Sequence, residues 1–249
     1  MRLGLAGRKA LVTGGSRRVG REIVLALARA GIDVVTCYRE HGEAVDTLAA
    51  ELDRIGGKHS LVRADVTDPD DVRLLLDECH AHLGTLDILV NNAGSFGWAA
   101  LPDLDTAEWD RMIQVGLGAA YQVTRAALPL LTDGASVINI GSAAALYGGA
   151  MRSHYTAAKA GLIGLTRSLC KELGGDNIRV NVIAPGAIAM DDLETTNPGM
   201  YKALQENYGN LTALRRVTRP SDVVGAVLFL ASDLSSYVSG ETLNVDGGL

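Results

Sequence analysis

Short apolar runs rich in β-branched residues alternate with longer segments of helical spacing along the whole chain. The run "KALVT" (9–13) reads as a strand. "VGREIVLALARAG" (19–31) repeats its apolar positions at helical spacing and stops at a glycine. The strand "DVVTCY" (33–38) and the amphipathic helix "EAVDTLAAELDRIGG" follow. Next come the strand "HSLVRAD" (59–65) and the helix "DPDDVRLLLDECHAHLG", with acids in the first turn where the helix dipole favours them. "LDILVNNAG" (86–94) is an apolar strand with a polar end. A long helix is predicted over about 106–131, then the strand "SVINIGS", a helix over about 153–173 and the strand "IRVNVIAPG". The polar stretch 187–218 shows no regular period and is predicted to be irregular. The helix "PSDVVGAVLFLASD" and the strand "ETLNVDGG" close the chain.

This alternation predicts an α/β fold: a single doubly wound, Rossmann-type parallel sheet of seven strands flanked by helices on both faces. No linker or repeat interrupts it, so residues 1–249 read as one domain, with 187–218 as a lid over the substrate. In such sheets ligands sit beyond the carboxyl ends of the strands. The chemistry is therefore expected in 13–20, 38–41, 65–66, 91–98, 141–151 and 185–212.

Composition narrows the classes. The net charge is −6 and no basic stripe is visible, which argues against nucleic acid as a partner. No apolar run approaches the ~20 residues of a membrane span. The first strand begins too early for a signal peptide, so a cytoplasmic location is expected. Cys37, Cys79 and Cys170 are scattered and odd in number, the pattern of reduced thiols rather than a disulfide framework or a metal cluster.

The turn "TGGSRRVG" (13–20) links the first strand to the first helix. Gly14 and Gly20 flank it, and its backbone N–H groups and the helix dipole attract a pyrophosphate. Ser16, Arg17, Arg18 and Val19 fill the turn. The end of the second strand selects between nicotinamide cofactors, since an acid there binds the ribose 2′-hydroxyl of NAD. Here Tyr38 is followed by Arg39, placed to meet a 2′-phosphate, and Arg17 is placed to reach it from the turn; NADP(H) is the cofactor expected. Glu40 is read as a solvated acid at the start of the next helix.

Tyr155 and Lys159 are four residues apart on a helix, hence on one face. A tyrosine has a reference pKa of ~10, and a nearby ammonium lowers it. Ser142, just after a strand, offers a hydroxyl to a substrate oxygen. The three suit ketone reduction, with Tyr155 giving the proton. His154 adjoins Tyr155 but faces another way and is given no catalytic role. Asp191 and Asp192 read as lid surface or a helix cap.

"TGGSRRVG", "ADVTD", "NNAG" (91–94), Ser142 with "YTAAK" (155–159), "NVIAPG" (181–186) and "LNVDGG" follow in order along the chain. Over essentially its whole length the chain resembles the short-chain dehydrogenase/reductase family. The resemblance implies that Asp65 and Val66 border the adenine. It implies that Asn91, Ala93 and Gly94 line the cofactor cleft, that Pro185, Gly186 and Ile188 border the nicotinamide, and that the protein is a homotetramer. The small residues Ala157, Ala160, Gly161 and Gly164 permit close helix approach in such an assembly. Two positions depart from the family. Gly116 stands where an asparagine holds a relay water, and Met190 where a threonine binds the nicotinamide amide. Arg18, in place of the family's middle glycine, resembles the turn of pteridine reductases. Those enzymes carry aspartate where this chain has Ser142.

Phe96, Trp98, Leu146, Tyr147, Met151, Met190, Met200, Tyr201 and Tyr208 fall in the segments expected around the substrate, although aromatics are only 4% of the chain. Such a pocket suits a flat apolar ketone. Only five of the 23 basic residues are lysine; this arginine bias, Arg18 and the aromatic segments together resemble tailoring ketoreductases of aromatic polyketide pathways, including the angucycline type. The alternative is a 3-oxoacyl carrier-protein reductase. Relatives of that kind carry basic residues before the fifth strand and after the catalytic helix, where this chain reads "LLTDGAS" and "LGGDNIR". An acyl carrier partner is therefore less expected than a free small-molecule ketone. A different class, a cofactor-binding protein on an inactive reductase fold, is raised by Gly116 and Met190 and opposed by Ser142, Tyr155 and Lys159.

Overall fold

A computed structural model describes residues 3–189 and 193–249. Seven strands form one parallel sheet: β1 (Lys9–Val12), β2 (Asp33–Tyr38), β3 (His59–Arg63), β4 (Leu86–Asn91), β5 (Leu131–Ile140), β6 (Arg179–Pro185) and β7 (Thr242–Val245). Their order is β3-β2-β1-β4-β5-β6-β7. The predicted doubly wound architecture is the one observed.

Successive strand residues point to opposite faces, and the two cores follow that alternation. Ala10, Val12, Ile88, Val90 and Ile138 pack under α1 (Arg18–Arg29), α2 (Glu43–Ile55) and α10 (Pro220–Ala231). Leu11, Leu89, Val137 and Val180 pack under α3 (Pro69–Leu83) and α5 (Ala119–Ala127). Helix α3 begins as its sequence dictates: Pro69 occupies the first turn, and the Asp68 carboxylate accepts from the Asp70 and Asp71 N–H groups. Burial pushes the Cys37 thiol up to about 11 and the Cys79 thiol up to about 12, so both stay protonated. Among the described residues no helix is long and apolar enough to cross a membrane.

The structure corrects two expected elements. The helix expected over 106–131 is broken. Helix α4 (Thr106–Ile113) passes through a wider π turn, Gln114–Gly118, into α5, and Pro129, which has no N–H to donate, lies in the short turn that ends it. The described residues of the stretch 187–218 are not all irregular. The stretch holds α8 (Leu193–Thr196) and α9 (Pro198–Asn207), the latter started by Asn197, whose side chain accepts from the Met200 N–H. Their polar, exposed faces hide the helical period. Helix α6 (Ala144–Tyr147) and helix α7 (Ser153–Glu172) complete the set.

Candidate active site

The strand order reverses between β1 and β4, and the crevice opens above their carboxyl ends. The Asn92 amide donates to the carbonyls of Thr13 (2.9 Å) and Gly14 (3.0 Å), and the Thr13 hydroxyl accepts from the N–H groups of Asn92 and Ala93. These bonds pin the glycine turn to the end of β4. Gly14 has φ +67°, a left-handed conformation that glycine adopts without strain. A Cβ at Gly20 would collide with the Gly14 carbonyl, so helix α1 approaches the turn only because residue 20 is glycine. Gly15 is equally tight against Thr36 and Val24, a packing role the sequence did not reveal.

A cleft of about 580 Å³ runs from this turn to the catalytic helix. It is lined by Gly14, Ser16, Arg17, Arg18, Val19, Gly20, Tyr38, Arg39, Asp65, Val66, Ala93, Gly94, Ser142, Tyr155, Lys159, Pro185, Gly186 and Ile188, all expected from sequence. Asn91 is the exception. Its side chain is buried, donating to Thr124 and Asn139 at 2.9 Å each, and its neighbour Asn92 lines the cleft instead. Strand alternation decides which of two adjacent asparagines faces the core. Arg111 and Val115 also line the cleft, brought from a distant helix that no local pattern ties to it.

The residues present fit a nicotinamide dinucleotide bearing a 2′-phosphate. The first turn of α1 carries no acid, so its free N–H groups and dipole meet an anion unopposed. Arg18 stands at φ +51°, a strained conformation for a residue with a Cβ, where the family's glycine would sit without cost. Arg39 lines the cleft and pairs with Glu40 at 3.3 Å, both side chains largely exposed. Glu40 thus precedes α2 rather than opening it. Its exposed pair contributes little and gives way to a doubly charged phosphate. Asp65 is pushed up by burial, but hydrogen bonds from Thr67 and the Arg39 charge outweigh that and hold its carboxyl below the usual range.

At the other end of the cleft, Tyr155 and Lys159 share one face of α7 as the spacing predicts. Ser142 follows β5 and hydrogen-bonds the Tyr155 hydroxyl. The electrostatics differ from the sequence expectation. Lys159 is buried, donates to the Ile140 carbonyl at 2.8 Å, and is pushed down to about 8 by burial. The Tyr155 phenol is pushed above its ordinary value by burial, against the Ser142 bond and the positive charge of Arg152. The cation that favours phenolate is therefore Arg152, a residue the sequence reading passed over. A phenol held protonated near neutrality is in the state that gives a proton to a ketone oxygen.

His154 is fully buried with both ring nitrogens unpartnered, and Glu108 is 3.7 Å away. It faces α4 rather than the cleft, as expected. Phe96 lines the cleft and packs edge-on against Tyr155 (5.3 Å) and Trp98 (5.5 Å). Leu146, Tyr147 and Met151 are exposed outside the lining, and Tyr201 lies near enough to Arg216 to feel its charge rather than in the cleft. Met190, Asp191 and Asp192 lie outside the described residues.

Gly116 sits in the π turn, and a Cβ there would stand 2.8 Å from the Ala158 Cβ, on the helix between Tyr155 and Lys159. Gly116→Asn should therefore not restore the family relay. The overpacking should cost about 1–3 kcal/mol, read as a lower Tm with reduced turnover. Adding Ala158→Gly should recover part of both. An unchanged Tm in the single variant would contradict this packing.

Comparison with known proteins bears the architecture out. A family model described as Enoyl-(Acyl carrier protein) reductase matches residues 14–249. The chain belongs to the short-chain dehydrogenase/reductase family. It is an oxidoreductase of that family. It is 36% identical to the 3-oxoacyl-[acyl-carrier-protein] reductase of Synechocystis sp., over 98% of both chains. Its fold matches a short-chain dehydrogenase/reductase from Serratia marcescens with a TM-score of 0.91, at 31% identity and 98% coverage of each chain. It also matches a blue fluorescent protein from a metagenomic library, solved in complex with NADPH, with a TM-score of 0.88, 34% identity and 98% coverage of each chain.

Proposed function

We propose that this chain uses NADPH to reduce a free, apolar, aromatic ketone of the polycyclic polyketide type to a secondary alcohol. Tyr155 donates the proton, Ser142 holds the ketone oxygen, and Lys159 holds the ribose. Arg39 and Arg17 bind the 2′-phosphate, and Arg18 lies along the pyrophosphate. The bound nicotinamide supplies the hydride. The residues 187–218 act as a lid.

The observation that carries the substrate reading is the aromatic mouth. Phe96 packs on Tyr155 yet remains 48% exposed, and Trp98 beside it is 53% exposed. Exposed rings next to a reacting hydroxyl offer stacking surface to a flat apolar body. A second reading, a 3-oxoacyl chain on a carrier protein, is favoured by the names of the curated relatives. Against it, the two segments where a carrier would dock present Asp133 and Asp176, and Asp133 holds the Asn177 amide at 2.9 Å. An acidic carrier would meet like charge there.

The test is NADPH oxidation with three substrates: a tetralone, a 3-oxoacyl N-acetylcysteamine thioester, and the same acyl chain on a carrier protein. The bicyclic ketone should have the highest kcat/KM. A carrier-bound chain reduced more efficiently than both free ketones would replace this reading with the second.

We also propose a homotetramer formed through α4, α5 and α7. Gly164 has open space above it for a partner helix, whereas Gly161 is used within the chain against Leu117. A monomer at micromolar concentration by light scattering would overturn it.

A further inference from the structure

Arg152 is the last residue before α7, one turn ahead of Tyr155. Its guanidinium carbon lies 3.9 Å from the centre of the Trp98 ring, 4.9 Å from Phe96 and 5.9 Å from Tyr208. One N–H donates to the Tyr208 hydroxyl at 3.0 Å. Among the described residues no carboxylate pairs with it. A guanidinium carries five N–H donors in one rigid plane. The rings thus hold the cation in place, and among the described residues the Tyr208 hydroxyl is the one acceptor its donors meet. Phe96, which stacks on Arg152, also touches Tyr155. The cation and the reacting hydroxyl therefore flank a single ring at the mouth of the cleft. Backbone ties fix the arrangement: the Ala99 N–H donates to the Met151 carbonyl at 2.9 Å, and Met151 is held at φ +62° just before Arg152.

We propose that Arg152 binds an anionic oxygen group on the ketone substrate, a carboxylate or a phosphate, and so selects acidic ketones. The inference rests on the aromatic-ketone reading of the same mouth and adds a charge to that ketone. A planar donor edge takes a carboxylate or phosphate through paired hydrogen bonds. With the ketone at Tyr155 and the anion at Arg152, the substrate is held at two points, presents one face to the reductant and yields one alcohol enantiomer. The charge balance agrees. The Arg152 charge pulls the Tyr155 phenol towards ionisation. An anion seated on Arg152 cancels that pull and keeps the phenol in its proton-donating form. A purely structural staple between Tyr208 and the 96–98 loop would have no such consequence.

The experiment compares two matched pairs on the NADPH-loaded enzyme. The first is 4-oxo-4-phenylbutanoate and its methyl ester. The second is a 3-oxoacyl phosphopantetheine thioester and its dephosphorylated pantetheine counterpart. The charged member should be favoured roughly ten- to hundredfold in kcat/KM, mostly through KM, as expected of one charge-assisted contact. Arg152→Gln should erase the charged-over-neutral ratio, and Arg152→Lys should keep part of it. A preference confined to the keto acid assigns the anion to a free carboxylate. One confined to the phosphopantetheine pair assigns it to a carrier arm. Equal rates within both pairs in the wild type, or an unchanged ratio in Arg152→Gln, would overturn the inference while leaving the ketone reading intact. Failure of all four ketones to oxidise NADPH would overturn both.

Discussion

Tyr155→Phe should lower ketone reduction roughly 10²- to 10⁴-fold, the range for a positioned proton donor, with NADPH affinity retained. The substitution removes one hydroxyl, the partner of Ser142, and leaves the ring that packs on Phe96. Binding titrations and single-turnover rates separate the two effects. Near-normal turnover would refute the assignment of Tyr155 as the acid. The pH dependence has a definite sign. Burial lowers Lys159 from 10.5 to about 8, so its ammonium is present below pH 8 and lost above it. The phenol is shifted the other way and stays protonated through that range. The kcat/KM for reduction should therefore fall above about pH 8, not near the ordinary tyrosine value. In the unfolded chain the same lysine keeps its proton up to its ordinary value of 10.5. The unfolded state then binds more protons between about pH 8 and 10.5, and this group's contribution to stability rises with pH across that window.

Arg39→Ala should weaken NADPH and spare NADH. A charge-assisted contact to phosphate contributes about 1.5–3 kcal/mol, which corresponds to roughly a ten- to hundredfold preference. Arg18→Gly should behave differently. It removes a cation that lines the cleft and that we propose lies along the pyrophosphate common to both cofactors, so both should weaken. It also releases a residue held at φ +51°, so the Tm should not fall. Titrating both cofactors against the wild type and the two variants tests each claim. Equal wild-type affinity for NADH and NADPH would remove Arg39 from the 2′-phosphate site. A lowered Tm in Arg18→Gly would show that the arginine stabilises the turn itself.

Much of the site was legible because its pieces are short and local. The glycine turn, the Tyr155–Lys159 spacing and Arg39 after β2 each depend on residues a few positions apart, and the cleft gathers them as read. The misreadings share a different origin. Asn91 and Asn92 are chemically alike, and only the strand's facing sends the first into the core and the second to the turn. The tight space at Gly116 is set by Ala158, forty-two positions further along the chain. Helix α9 was hidden because its residues are mostly exposed and polar, which erases the apolar stripe that announces a helix.

The sequence by itself determined the doubly wound sheet, the glycine turn that lines the cleft and the placing of Tyr155 and Lys159 on one helix face. Each is encoded in periodicity or spacing, and the backbone converts both directly into geometry. Tertiary structure alone decided the charges at the reacting centre. Lys159 loses much of its affinity for a proton because the core closes over it. Arg152 acquires a place beside Tyr155 because Phe96, Trp98 and Tyr208, drawn from two separate segments, enclose it. Burial and long-range contact set those properties, and neither is written in any short stretch of the chain.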